Sequence, residues 1–294
     1  MMTQPSLNSL HVAIIGMGLM GASLGYDLRG RVRRVTGVVR RPEAVAATEA
    51  SGCVDEATVD ARAAAAEADL VVLATPVRTI LRQIEELGPL MQPGAVLIDM
   101  GSTKTAICRA MAALPEHVQP VGGHPMCGKE VAGLEAAEPG LYRGCTFVLC
   151  PLPRTASQAL ELAQALVAHI HARPLILDPE RHDQLVAAIS HLPYLSASAL
   201  VAHVMSVAEE DERVWEVAAS GFRDASRVAA SDVRMMLDIL LTNSSAVMNA
   251  LDDFADQIAG LRRALAAGDE ALLTRQLEAI ARARRNWGKN RQTH

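Results

Sequence analysis

Aromatic residues are scarce in this chain. Three Phe, three Tyr and two Trp make up only 3% of 294 positions. The core must therefore be built from Ala, Val, Leu, Ile and Met, and with half the residues hydrophobic there is enough of them for a sizeable one. Cysteine is sparse too. Cys53, Cys108, Cys127, Cys145 and Cys150 form no CxxC pair and no disulfide-dense framework, so they read as free thiols in a reducing cytosol. A basic excess is missing. Lys and Arg number 28 against 33 Asp and Glu, for a formal net charge of -5, which argues against a nucleic-acid surface. No N-terminal segment has the layout of a signal peptide, and no uncharged apolar run reaches the ~18 residues of a membrane span. The expectation is a cytoplasmic protein with neither nucleic acid nor membrane as partner.

What the chain does have is alternation. His11 to Ile15 reads as a strand, Leu19 to Leu28 as a helix and Val35 to Val39 as a second strand. Pro42 to Ser51 reads as a helix stopped by Gly52. Leu70 to Ala74, Ala95 to Ile98, Val118 to Val121, Thr146 to Leu149 and Pro174 to Leu177 are further short apolar runs, with helices at Val77 to Leu87 and Ala156 to Ala172. This pattern belongs to a mostly parallel sheet covered on both faces. After Asp178 no strand signal remains, and Ala, Leu, Val and Met recur at helical spacing. Val233 to Leu251 reads as one helix, apolar round most of its circumference. The predicted organisation is an α/β dinucleotide-binding domain over 1–178 and an all-α domain over 179–294. Residues 1–10 and those from Asn286 onward read as polar tails.

The turn Gly16-Met17-Gly18-Leu19-Met20-Gly21 joins the first strand to the first helix. Gly16 permits the tight turn, Gly18 lets the backbone approach a pyrophosphate, and Gly21 lets helix and strand pack. The helix N-terminus adds free N–H groups and a positive dipole end. An NAD site usually has Asp or Glu at the end of the second strand. Here Arg40 and Arg41 stand there, and guanidinium groups suit a 2′-phosphate. NADP is the expected cofactor. The alternative is that both arginines are solvated and Glu43 reaches the ribose.

Three constellations bear chemistry. The first is Asp99-Met100-Gly101-Ser102-Thr103-Lys104, at the carboxyl end of a strand, where open α/β sheets bind ligands. Ser102 either donates to a substrate hydroxyl or the nicotinamide edge, or caps the next helix. The second is Gly122-Gly123-His124-Pro125-Met126-Cys127-Gly128. His124 on a glycine-rich turn can be neutral near pH 7 and accept a proton. Cys127 has no visible partner base to make it a nucleophile. The third is Ser190-His191-Leu192-Pro193-Tyr194, where the proline breaks a helix, with Gly221-Phe222-Arg223-Asp224-Ala225-Ser226-Arg227 beyond it. The two arginines share a helical face. They either clamp a carboxylate or pair internally with Asp224 or Asp232.

Together and in this order, these segments resemble the prephenate/arogenate dehydrogenase family of tyrosine biosynthesis. The matching stretches are GMGLMGASL from Gly16, ATP from Ala74, DMGSTK from Asp99, GGHPMCG from Gly122, HDQLVAAISHLPY from His182, GFRDASR from Gly221, and Asn243 within LLTNSS. The resemblance spans roughly residues 11 to 255 and implies a Rossmann-type α/β domain followed by an all-α dimerisation domain. It implies an oxidative decarboxylation. A cyclohexadienol gives hydride to the nicotinamide, loses its ring carboxylate as carbon dioxide and becomes aromatic. His124 would draw off the hydroxyl proton, Ser102 would orient that hydroxyl and His124, Arg227 would hold the ring carboxylate, and His191 and Tyr194 would line the substrate pocket. Gly16, Gly18, Leu19, Met20, Gly21, Arg40, Arg41, Thr75 and Ser102 would meet the cofactor. No metal is implied, and the partner is a second copy of the chain.

One position departs from the pattern. Many family members that take prephenate with NAD carry a second histidine directly after SHLP, and here it is Tyr194. With Arg40 and Arg41, this looks like the NADP-dependent arogenate-using branch. The competing enzyme reading, a 3-hydroxyacid or 6-phosphogluconate-type dehydrogenase, needs a lysine early in the second domain, where this chain has SHLPY. A competing reading of another class is a cofactor-sensing binding protein without catalysis.

Overall fold

The computed structural model describes residues 7–128, 131 and 133–292. The chain divides into two compact units, Met1–Ser244 and Ser245–His294.

The first unit is organised by one eight-stranded sheet. In chain order its elements are β1 (His11–Ile15), α1 (Leu19–Leu28), β2 (Arg34–Val38), α2 (Glu43–Ser51), β3 (Glu56–Thr58), α3 (Ala61–Glu67), β4 (Leu70–Leu73), α4 (Val77–Leu87), β5 (Val96–Asp99), α5 (Thr105–Ala112), β6 (Gln119–Pro125), β7 (Thr146–Pro151), α6 (Ser157–His169) and β8 (Arg173–Ile176). The strands lie in the order β3-β2-β1-β4-β5-β6-β7-β8. All pairs are parallel except β6 with β7. Successive side chains on a strand point to opposite faces. Accordingly Val12 and Ile14 join one buried cluster, while Ala13 and Ile15 join the other. That is why the strands read as continuous apolar runs. The order reverses between β1 and β4, and a crevice for ligands opens at the carboxyl ends of such strands.

Helices follow: α7 (Pro179–Val186), α8 (Leu192–Glu210), α9 (Ser220–Ser226) and α10 (Val233–Thr242). They belong to the first compact unit, with α7 packed on α5 and α10 on α4. The second unit holds α11 (Ser244–Ala266) and α12 (Glu270–Gln292).

Several expectations need correction. The short pair β3 and α3 gives no apolar periodicity and escapes sequence reading; Asp60 caps α3 through its carboxylate. Strand β6 does not stop at Val121 but runs through His124 to Pro125, because β7 pairs with it antiparallel and places His124 opposite Val148. Gly122 and Gly123 are therefore strand residues. A Cβ on Gly123 would meet the Asp99 carbonyl oxygen at 2.3 Å, and one on Gly122 the Cys108 sulfur at 2.7 Å. Both serve close packing rather than ligand approach.

Pro193 does not break its helix. A π turn over Ala187–His191 precedes it and α8 continues. Proline clashes with the carbonyl four residues back, and the wider turn takes up that clash while carrying His191 inward. The stretch Pro179–Glu210 is long and apolar enough to cross a membrane by length and composition alone. Its first half, however, buries His182, Asp183 and His191.

The expected single helix over Val233 to Leu251 is two. Asn243 interrupts it with a non-helical backbone, φ -123° and ψ 26°. The tails also differ. Leu7–Ser9 forms a 3-10 turn with Leu7 buried, while residues 1–6 lie outside the described residues. From Asn286 the chain stays helical to Gln292, since Ala and Arg before it are good helix formers. Residues 293 and 294 lie outside the description.

Candidate active site

The glycine turn sits at the carboxyl end of β1, where Gly16 N–H donates to the Val38 carbonyl of β2. Its three glycines do three different jobs. Gly16 has φ +107°, and a Cβ there would lie 2.6 Å from Thr75 Cγ2 and 2.9 Å from the Ala74 carbonyl oxygen. Gly21 presses on the turn, since a Cβ on it would stand 2.0 Å from the Gly16 oxygen. Around Gly18 a Cβ would find nothing within 4 Å. Gly18 is also the N-cap of α1 and makes no side-chain cap bond. An open approach at a helix start is the cradle a pyrophosphate needs.

The neighbours fill out this end of the sheet. Leu19 is buried and Met20 half-buried, and Tyr142 Oη donates to the Met20 carbonyl, fastening the start of α1. Thr75 Oγ1 donates to Gln83 at 2.6 Å. Arg40 and Arg41 are exposed just beyond β2. Arg41 faces Glu43 at 3.4 Å, both on the surface, so Glu43 is engaged with a guanidinium.

Asp99 ties the first and second constellations together. One carboxylate oxygen accepts from Gly101 N–H at 2.7 Å and from the ammonium of Lys104. The other accepts from Gly123 N–H at 2.9 Å. Asp99 and Lys104 are both fully buried. This pair thus holds the Ser102 loop and the end of β6 side by side. A buried charge survives when paired and hydrogen-bonded, and both conditions are met here. Ser102 is half-buried and does not cap α5. The cap comes from Asp183 on α7, whose carboxylate accepts from Lys104 N–H at 2.7 Å and Thr105 N–H at 2.8 Å.

Asp183 begins a chain of bonds. Its Oδ1 lies 2.8 Å from His182 Nδ1, and His182 Nε2 lies 2.8 Å from His124 Nδ1. The two rings meet edge to face, centroids 5.1 Å apart. His191 sits nearby, with Asn243 Nδ2 between its Nδ1 (3.2 Å) and the Asp183 carbonyl oxygen (2.9 Å). Thr242 and Thr103 hydroxyls bond at 2.9 Å, pinning the end of α10 to the Ser102 loop.

Electrostatics follow from this crowding. His124 keeps part of its surface accessible, yet protein packed around the ring pushes its pKa well below the usual histidine value, with His182, Lys104 and His191 adding to the effect. His191 is lowered to about 4, first by burial and then by His182, with Asp183 opposing. For Asp183, burial alone would raise the carboxyl, but bonds from His182, Lys104 and Thr105 hold it below its ordinary value. At neutral pH the cluster thus presents neutral imidazoles at 124 and 191 and an anionic Asp183. Burial raises the Cys127 thiol, and the adjacent Cys145 raises it further, so little nucleophilic thiolate forms there.

The structure thus gathers Ser102, His124 and His191 around the ends of β5 and β6, with the glycine turn at the end of β1. Arg227 is exposed and opens a 3-10 turn, Arg227–Ala230, that packs against α8. Tyr194 lies in the first turn of α8, half-buried. Sequence reasoning missed Asp99 and Lys104 as a buried pair, and His182 and Asp183 as partners of His124. The only signal for the latter was their place at the head of the HDQLVAAISHLPY segment.

A doubly covered sheet with a glycine turn at its switch point, and a neutral histidine at the strand ends, defines a two-part dehydrogenase. Comparison with known proteins narrows this. Residues 24–176 match the model of the prephenate dehydrogenase nucleotide-binding domain, and residues 178–279 that of the prephenate dehydrogenase dimerization domain. The chain is 32% identical over 278 residues to the cyclohexadienyl dehydrogenase of Zymomonas mobilis, covering 93% of this chain and 94% of that one. It superposes on the arogenate dehydrogenase of Synechocystis with a TM-score of 0.84 at 30% identity, covering 94% and 99% of the two chains. The prephenate dehydrogenase of Aquifex aeolicus, solved with hydroxyphenyl propionate and NAD+, gives 0.89 at 29% identity, covering 96% and 99%. The chain belongs to the prephenate dehydrogenase family.

Proposed function

We propose that this protein oxidises and decarboxylates arogenate to tyrosine with NADP as hydride acceptor. The observation that carries the reading is His124. It is neutral, partly accessible and held by a bonded chain at the carboxyl end of β6, across the sheet from an open glycine cradle. The bound nicotinamide supplies the hydride acceptor. The chain's own residues handle the rest. His124 takes the proton of the ring hydroxyl as hydride leaves the same carbon, and withdrawing that proton eases hydride loss. Ser102, fixed beside it through Asp99, orients the hydroxyl. Arg227 holds the ring carboxylate, with His191 and Tyr194 along the pocket. Aromatisation makes the step strongly downhill, so orientation and proton handling are the protein's main contributions.

Arogenate is preferred over prephenate in this reading because Tyr194 stands where a second histidine would meet a keto acid. NADP is preferred because Arg40 and Arg41 follow β2 and Glu43 is drawn to Arg41. Residues 1–178 then serve the cofactor, and residues 179–294 the substrate and a homodimer. Exposed Ile189, Met205, Val233, Leu237 and Leu241 suit burial against a second copy. The reading carries a cytoplasmic location with it. The test is reduced-cofactor formation from arogenate and from prephenate, each with NAD and with NADP. Turnover of neither substrate defeats the reaction, and faster turnover of prephenate with NAD defeats the substrate and cofactor preference.

A further inference from the structure

His182 and Asp183 have no role in the reaction as proposed and His191 only lines its pocket, yet all three are buried and bonded into one network with Asn243 and His124. Their bonds have a direction. Asp183 is anionic, so its oxygens only accept. Oδ1 lies 2.8 Å from His182 Nδ1, and that nitrogen must therefore carry the proton. With that single proton on the ring, the other nitrogen is an acceptor. His182 Nε2 stands 2.8 Å from His124 Nδ1, so His124 donates from Nδ1. Its Nε2 is left with a bare lone pair.

The second branch runs the other way. The Asn243 side-chain atom facing the Asp183 carbonyl oxygen at 2.9 Å must be the amide nitrogen, because a carbonyl oxygen there would oppose another acceptor. That same nitrogen lies 3.2 Å from His191 Nδ1. His191 Nδ1 therefore accepts, and its Nε2 carries the proton.

We propose that Asp183, acting through His182 on one side and Asn243 on the other, sets the two site histidines in opposite tautomers, His124 as acceptor at Nε2 and His191 as donor at Nε2. His182, Asp183 and Asn243 are positioning residues and touch no reacting atom. The same carboxylate caps α5 behind the Ser102 loop, so one side chain fixes both the loop and the His124 branch, while the main-chain carbonyl of the same residue holds Asn243 and the His191 branch. The part concerning proton acceptance from substrate rests on the proposed reaction; the tautomers do not.

The test begins with the full chain carrying ring-labelled histidine, its nitrogen resonances read by NMR at pH 7.5. The expected result is Nδ1–H for His124 and His182, and Nε2–H for His191. A proton on His124 Nε2, or a doubly protonated His182, overturns the proposal, whatever the enzyme turns over. Turnover then checks the consequence. In His182→Gln the amide oxygen can accept from His124 Nδ1 and the amide nitrogen donate to Asp183, preserving the pattern. In His182→Ala neither is possible. His182→Ala should lose roughly 10^2- to 10^4-fold in kcat, while His182→Gln keeps turnover within about tenfold of the unsubstituted enzyme. Equal losses in the two variants overturn the positioning role. If neither variant folds, the NMR result decides alone.

Discussion

His124 Nδ1 and His182 Nε2 stand 2.8 Å apart although 58 residues separate them in the chain. The contact joins the last strand of the parallel run to the first helix after the sheet. It engages one imidazole nitrogen of His124 and leaves the other for the proposed role as base. Replacing His124 with Asn keeps a polar side chain of comparable reach but removes the proposed proton acceptor. His124→Asn should lower kcat by roughly 10^2- to 10^4-fold. The dissociation constant for NADP, measured by fluorescence titration, should stay close to that of the unsubstituted enzyme. Unchanged turnover would remove His124 from the base role.

The direction of the His124 shift predicts the pH profile. Burial, His182, Lys104 and His191 all push its pKa down. Asp183 reaches it only through His182. A base must be unprotonated to act. Activity should therefore be flat through neutral pH and fall only when acidity reaches the depressed value. The acid limb of kcat/KM should lie below 6.5, and a midpoint at or above 6.5 would contradict the buried-base geometry.

Stability should respond to acid through His191. Its folded pKa of about 4 lies below the unfolded value near 6.5. Below pH 6.5 the unfolded chain binds a proton that the folded one refuses, so stability is fully present above 6.5 and is lost as pH falls toward 4. The gap corresponds to ~3 kcal/mol across that window. Thermal unfolding should show Tm dropping between pH 7 and pH 4.5, less steeply in His191→Gln. Parallel curves for the two proteins would refute the assignment.

The strands and the glycine turn are legible in the sequence because they follow from local period and spacing. Val12 to Ile15 is apolar at every position, and that alone says both faces of the sheet are covered. His124 could be singled out, but its setting could not. It reads as a loop residue because glycines flank it, whereas Gly123 is there to clear the Asp99 carbonyl. The bonds from Asp183 to Lys104 and Thr105 span 79 and 78 positions, and no periodic pattern encodes a cap supplied from so far away. Asn243 reads as a mid-helix residue for the same reason. Its side chain is committed to Asp183, 60 positions back, and that commitment ends α10.

The proposed preference for NADP rests on the end of β2. Arg40 is exposed, and Arg41 meets Glu43 at 3.4 Å on the surface. A charge-assisted bond to a 2′-phosphate contributes ~1.5–3 kcal/mol. Arg40→Ala should raise KM for NADP by about 10- to 100-fold while leaving KM for NAD nearly unchanged. Equal effects on both cofactors would show that Arg40 does not read the 2′ position.

The glycine turn offers a test that separates binding from packing. A methyl group at Gly18 meets nothing within 4 Å, whereas one at Gly21 lands 2.0 Å from the Gly16 carbonyl oxygen. Backbone cannot yield as a side chain can, so Gly21→Ala forces α1 away from the β1 turn. That overpacking should lower stability by ~1–3 kcal/mol or more, visible as a reduced Tm without any ligand. Gly18→Ala should leave the ligand-free Tm within about 2 °C of the unsubstituted protein, since a change under ~0.5 kcal/mol shifts a chain of this size little. The methyl group instead fills the space where a pyrophosphate would come against the start of α1. Titration of Gly18→Ala with NADP should therefore show at least about a tenfold loss of affinity. Full affinity in that variant would move the phosphate site away from the turn, and a collapsed Tm would mean that Gly18 serves packing as Gly21 does.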